Sequence, residues 1–491
     1  MRTSAQSRQT AFLSIIWALL AVGFGALVVY PPTPPVGQAA VLAGILLLVA
    51  ACFLPALLWR DTGVSPGFVY ALATFAAFGL GSFAWFGRPP GAAPSVDQQL
   101  VARALLTASA GMTAFWLGYR LAQPPRNVRS GSPPRVIVPV WFLFALFAVG
   151  LAADLVLFMT GRFAYLSIAT SSTQATWWQQ WVLTGTGFTG ISTNLAALHA
   201  FGNDSKLHQR AMIAMLVMTS VLGVLSGFKG LVILPFVLVG FIYYYYRRRL
   251  PLRLLAAAVL VAFILVPGNL SYRDALRVGS STPTNGLAST LATVYRTFSD
   301  GVRSPIEGRI SAIAQWGSVR LRDIDSLAVI GRLTPSQFPY LGAGSYAQIP
   351  AIVLVPRLLW PGKPALDLGS QFGQRYFGLS PSYRTSVPIT NMGDLYMHSG
   401  LWGVVAGMAI WGALAGVLFR WFRRRESPSA LLVYVTAITI LMQTELDFTN
   451  LLAGAFRAML LAWIVGRTVY GPMPVHPHGS PRVHGHAVPT T

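Results

Sequence analysis

Charge is scarce in this chain. Only 10% of its 491 residues are Asp, Glu, Lys or Arg, against about 25% in an ordinary soluble domain, and that excludes a water-soluble globular protein. Acid is scarcer than base, at 14 residues against 36, for a net charge of +22. Lysine is the rarest base, present only as Lys206, Lys229 and Lys363. There is one cysteine, Cys52, and it lies within an apolar run; an intrachain disulfide framework and a cysteine zinc cluster are both excluded. The chain also lacks a Walker loop, a dinucleotide fingerprint and a G-x-S-x-G elbow. No repeat with a period of about 20 to 50 residues is present. The surplus of base does not indicate nucleic acid. The arginines sit in short loops between apolar runs, where they set membrane topology, and not on a soluble basic face.

Hydrophobic residues make up 54% of the sequence. They form runs of roughly 18 to 23 residues, the length that crosses a bilayer as a helix. The sequence predicts an all-α polytopic membrane protein with about twelve transmembrane helices, at 11–30, 38–59, 66–86, 98–118, 136–158, 180–201, 211–228, 230–246, 251–268, 394–422, 429–446 and 452–470. Basic residues alternate between the connecting loops. Arg60, the group Arg120, Arg126, Arg129 and Arg135, then Lys206 and Arg210, then Arg247 to Arg249 with Arg253, and finally Arg420 and Arg423 to Arg425 all fall on one side. The positive-inside rule makes that side cytoplasmic, together with both termini. Four parts result: helices 1 to 9 within 1–266, a basic extracytoplasmic loop at 267–387, helices 10 to 12 at 388–470 and a tail at 471–491. The loop holds twelve Arg or Lys and six acidic residues, an excess that invites an anionic partner. Leu287 to Ser299 and Ile310 to Leu321 carry the pattern of amphipathic surface helices. Ala343 to Trp360 is open between a further span and a re-entrant segment. The tail, rich in Pro, Gly and His, has the composition of disorder.

Ionisable residues inside spans are costly and usually functional. Arg103, Asp154, Lys229, His398, Glu445, Asp447 and Arg457 all fall toward the outer ends of their helices. Two accounts fit them: Arg103 paired with Asp154 and Arg457 with Asp447 to lock the bundle, or a site at the outer leaflet. Asp323-Ile324-Asp325 imitates a metal-binding D-x-D, but so short a match arises by chance.

The most informative stretch is Ile349 to Gly400. It opens with VPRLLWPGKP (Val355 to Pro364) and closes with NMGDLYMHSG (Asn391 to Gly400). Proline at this density forbids a regular helix, so a rigid elbow would hold Arg357 and Lys363 at a membrane surface with Trp360 as interfacial anchor. Asp394 and His398 stand four apart and share a face if a helix begins there. The plainer account is a basic rim and a helix cap, since Asp is a common N-cap residue.

These motifs resemble the Wzy-type oligosaccharide repeat-unit polymerases, the O-antigen and exopolysaccharide polymerase family. The resemblance covers Ser226 to Trp463. It rests on SGFKG (Ser226 to Gly230), on VPRLLWPGKP and on GDLYMHSGLWG (Gly393 to Gly403), together with the many spans and the late outer loop. It implies a membrane glycosyltransferase that needs no metal or cofactor. Its substrate would be an oligosaccharide on polyprenyl diphosphate, handled at the outer face of a bacterial cytoplasmic membrane, with a flippase and a chain-length regulator as partners. Arg357, Lys363 and Lys229 match basic positions of the family, and Arg273, Arg375 and Arg384 follow by loop position. Asp394 takes the acidic place in G-[DE]-x-Y as the expected base, with His398 as its substitute. Ligases using the same donor resemble one another in a histidine of the large outer loop, and Pro267 to Val387 has none. A twelve-span transporter or flippase would show pseudo-symmetric halves and a midplane site; the sequence displays neither.

Overall fold

The computed structural model describes residues 37–59, 65–86, 96–122, 138–160, 163, 177–226, 229–247, 252–277, 292, 295–297, 299–300, 303, 305–308, 322–355, 359–360, 368–380, 386–425, 427–441 and 443–471. Every regular element among them is helical. In chain order these are α1 (Gly37–Leu58), α2 (Pro66–Thr74), α3 (Gln98–Ala122), α4 (Val140–Met159), α5 (Trp177–Gly185), α6 (Gly187–Gly202), α7 (Lys206–Ser226), α8 (Lys229–Arg247) and α9 (Leu252–Arg277). After them come α10 (Asp323–Leu333), α11 (Ile349–Leu354), α12 (Leu368–Phe377), α13 (Asn391–Arg425), α14 (Pro428–Leu441) and α15 (Phe448–Tyr470).

Seven helical stretches among the described residues are long and apolar enough to cross a membrane: α1, Pro66–Trp85, α3, α4, Lys206–Val224, α13 and α15. Apolar residues surround these helices on all sides, and lipid tolerates only segments that satisfy their own backbone hydrogen bonds. The first expected span, 11–30, and the tail beyond Gly471 lie outside the described residues, as does Ile310 to Leu321. The expected span 180–201 is α5 followed directly by α6, with Thr186 between them still helical (φ −58°, ψ −26°) and donating its N–H to the Val182 carbonyl at 3.1 Å. Ala343 to Leu354 is a 3-10 turn followed by the six-residue α11, too short to span.

Three helices form the centre. α1 and α13 flank α3 and run parallel to it, with Gly37 beside Gln98 and Gly44 beside Leu105 on one side, and Gly111 beside Val404 on the other. The α3–α13 seam is made by small residues. Gly412 faces the Phe115 carbonyl, Gly118 the Ala409 carbonyl and Gly416 the Tyr119 carbonyl, so closely that no Cβ fits at Gly412 or Gly118. Such backbone contact is how helices pack in lipid, where apolar side chains alone gain nothing from meeting.

α2 returns antiparallel beside α3. It is capped by Ser65, whose Oγ accepts the Phe68 N–H at 3.1 Å, and Pro66 occupies its first turn. It continues through a π turn (Phe75–Gly79) and a 3-10 turn (Leu80–Phe86) that carries Trp85 to the end of the bundle. Part of the expected surface loop belongs to the core. α10 is buried between α3 and α13, with Ile324, Val329 and Ile330 fully enclosed.

Candidate functional site

α13 is broken at Ser399 (φ −151°, ψ 24°) and Gly400 (φ 61°, ψ −149°). The left-handed conformation at residue 400 suits glycine, and an added Cβ there would stand 2.8 Å from the Tyr340 hydroxyl. Across this break the chain reverses. Leu395 packs on Gly403 and Gly407, where its carbonyl and side chain leave no room for a Cβ. Asn391 donates to the Tyr70 hydroxyl at 2.7 Å, and that hydroxyl in turn reaches the Met408 sulfur at 3.9 Å. Asn391–His398 is therefore a half-helix folded back along the segment after Gly400. Met408 lies about 12 Å beyond Gly400 at about 1.5 Å rise per residue, so the half-helix begins deep within the bundle.

The turn between α14 and α15 meets this half-helix. α14 stops at Leu441, and the turn before α15 presents its carbonyls to the half-helix. The Thr390 N–H donates to Glu445 O at 3.2 Å and the Asn391 N–H to Thr444 O at 3.1 Å. Thr390 adopts φ 66°, and its Oγ1 accepts the Gly393 N–H at 2.9 Å. The irregular backbone is thus satisfied inside the protein, the only place a bilayer permits it.

Asp394 and His398 share the half-helix face, as their spacing predicted. Asp394 is 4% exposed. Its Oδ2 accepts the Phe448 N–H, the first of α15, at 3.0 Å, so this carboxylate caps a later helix rather than its own. Asp447 caps the same helix, its two oxygens taking Asn450 N–H at 2.9 Å and Asn450 Nδ2–H at 2.7 Å.

His398 Nδ1 lies 2.7 Å from the Asp394 carbonyl oxygen and 3.4 Å from Asp394 Oδ1. A carbonyl can only accept, so in the neutral ring Nδ1 carries the proton and Nε2 keeps the lone pair. Nε2 makes no hydrogen bond among the described residues. The Tyr346 ring stacks on the imidazole at 4.0 Å between centroids and 23° between planes. The Met397 and His398 carbonyls, freed by the helix break, receive the Leu341 and Gly342 N–H groups at 3.0 Å each. A strap over Tyr340 to Leu354 thus closes the site, its end α11 lying against α15.

The expected cations stand apart from this centre or beyond view. Arg357, Lys363 and Arg384 lie outside the described residues, and only the helical backbones of Lys229 (start of α8) and Arg273 (α9) are described. Arg375 is exposed on α12 with its guanidinium 4.4 Å from the centre of the Phe338 ring. Neither expected span-locking pair is made: among the described residues no ion pair joins Arg103 to Asp154 or Arg457 to Asp447. Asp325 of the D-x-D is occupied by protein. Its Oδ1 accepts the Trp85 indole N–H at 2.8 Å and its Oδ2 faces Arg322 Nε at 3.4 Å. Burial raises the Asp325 pKa, and Arg322 and Trp85 pull it partly back. No group of three or more His, Cys, Asp or Glu is placed to hold a metal among the described residues.

The sequence reading missed Tyr346, the Phe448 N–H and the Asn391–Tyr70 bond. Only Asn391 had a signal, its place two residues before the G-D-x-Y motif.

A helical membrane protein in which one broken helix meets the turn between two others at a buried carboxylate and histidine is the class these features define. The chain belongs to the family described as a domain of unknown function, DUF8712, whose model matches residues 148–421, from α4 into α13. No curated protein and no solved structure matches the chain.

Proposed function

We propose that this protein is a membrane glycosyltransferase that joins polyprenyl-diphosphate-linked oligosaccharide units at the outer face of a bacterial cytoplasmic membrane, within a twelve-span topology whose 267–387 segment lies outside. The observation that carries the reading is the imidazole of His398, held at Nδ1 by Asp394 and open at Nε2, beside the motif that resembles the polymerases. The acceptor sugar hydroxyl loses its proton to His398 Nε2 while its oxygen attacks the anomeric carbon of the donor. The bond from that carbon to the carrier diphosphate breaks and its electron pair departs with the diphosphate. The Asp394 main-chain carbonyl orients the ring through Nδ1, and the Asp394 carboxylate, 3.4 Å from the same nitrogen, favours the imidazolium that forms. This reverses the roles expected from the motif, where Asp394 is the base. Arg357, Lys363 and Lys229, with Arg273, Arg375 and Arg384, supply positive charge for the departing diphosphate. A flippase and a chain-length regulator are the partners this reading calls for.

The experiment is direct. Purified chain given lipid-linked repeat units, with no nucleotide or divalent metal, should build a ladder of lipid-linked products spaced by one repeat. Outside labelling should reach Ser304→Cys and miss Ser205→Cys. A protein that makes no ladder and labels in the reverse sense is not this enzyme.

One observation favours a second reading, a transporter of the same lipid-linked oligosaccharide. Interrupted helices within a bundle are the build of many transporter sites, and α13, broken at Ser399 and Gly400, has that form. Movement of the lipid-linked unit across liposomes without any ladder would select it.

A further inference from the structure

Tyr346 faces the imidazole with a polar atom that makes no hydrogen bond. Its ring stacks on His398, yet its hydroxyl is buried with no hydrogen-bond partner. The carboxylates of Asp394 and Asp447 lie within electrostatic reach of it, and burial together with their negative charge raises the phenol pKa. The group therefore stays a hydroxyl, with a proton to donate. Asp447 has both oxygens engaged by Asn450, and Asp394 has Oδ2 engaged by the Phe448 N–H. A buried hydroxyl without a partner destabilises the fold that holds it. Packing alone would be served as well by phenylalanine.

We propose that Tyr346 is a binding residue for the acceptor: its hydroxyl donates to an oxygen of an uncharged, hydroxyl-bearing sugar and holds that sugar against His398 Nε2. The class of ligand follows from the surroundings. Two carboxylates beside the hydroxyl repel an anion, so the diphosphate of the donor belongs elsewhere, near the cations. A sugar ring offers oxygens to accept from the phenol, and its own hydroxyls can donate to the remaining carboxylate lone pairs. The strap that carries Tyr346 covers His398, which is only 8% exposed, so an acceptor reaches the imidazole only past this strap.

This inference rests on the glycosyltransferase reading for its role but is tested apart from it. Tyr346→Phe keeps the stack and removes only the hydroxyl. In the full chain it should melt at the wild-type temperature or slightly above, since a buried partnerless group is gone. Two measurements then follow. The thermal shift produced by lipid-linked oligosaccharide extracted from the host membrane should shrink for Tyr346→Phe, whether or not any transfer occurs. In the ladder assay KM for the acceptor should rise about tenfold, the loss of one hydrogen bond, with kcat changed far less. Tyr346→Leu, which loses the stack as well, should lower kcat too. An unchanged ligand shift and KM in Tyr346→Phe, or a clear drop in its melting temperature, overturns the proposal. A ligand shift that shrinks while no ladder ever forms keeps the sugar contact and removes the polymerase.

Discussion

Asp325 and Asp394 are both buried carboxylates in the first turn of a helix packed on α3, and both are approached at 3.4 Å by a nitrogen base. Their circumstances differ in what that base is. Asp325 faces Arg322, a permanent cation, and its other oxygen holds the Trp85 indole at 2.8 Å. Neither partner of Asp325 exchanges a proton: the guanidinium stays charged and the indole N–H only donates. Asp394 faces an imidazole whose second nitrogen is open, and its other oxygen holds a helix N-terminus at 3.0 Å. A proton can arrive at His398 Nε2 and be balanced by a carboxylate already in place. The comparison teaches that burial and pairing do not mark a working carboxylate. The mark is a partner that can still exchange a proton.

The comparison can be broken most severely at His398. His398→Ala should lower chain growth about 100- to 10,000-fold, the usual worth of a general base, while melting shows a folded protein. Full growth in that variant would reduce Asp394 to a second Asp325. Arg357→Ala comes next, with an expected loss of about 30- to 1000-fold for one charge-assisted contact to the departing diphosphate. Arg357→Lys should recover only part, because a point charge lacks the bidentate fork. Asp394→Asn should cost less, about 10- to 100-fold. The amide can still accept the Phe448 N–H but no longer favours the imidazolium, so the pH at which rate falls off on the acid side should shift downward. If Asp394→Asn is the more damaging of the two site changes, Asp394 is the base after all. The smallest effect on rate belongs to the other carboxylate. Trp85→Phe removes the indole donor from Asp325 and should cost about 1–3 kcal/mol of stability, with turnover per folded molecule unchanged.

Much of the architecture was legible in residue order because helical hydrogen bonds close within a few residues and the period is local. Apolar runs marked α1, α3, α4, α13 and α15 as long membrane helices, and the spacing of Asp394 and His398 placed them on one face. The interruptions were hard to read. The run 394–422 looks continuous in hydropathy, and only packing shows that α13 breaks at Ser399 and Gly400; the run 429–446 likewise hides that α14 stops at Leu441.

What the sequence by itself determined is the solvent and the repeat unit: too little charge for water, and runs long enough to satisfy their backbone as helices in lipid. Tertiary structure alone decided which polar groups meet. Trp85 and Asp325 are 240 residues apart, and Asn391 and Tyr70 are 321 apart. Tyr346 comes to His398 on a strap with no pattern of its own, and Asp394 caps a helix that begins 54 residues later. Such contacts depend on where a chain reverses, and here it reverses where Gly400 takes a left-handed turn and Gly403 and Gly407 leave room for Leu395. A glycine in a membrane run reads the same whether it serves a straight seam, as at Gly412, or a fold-back. Only the neighbour it makes room for tells the two apart.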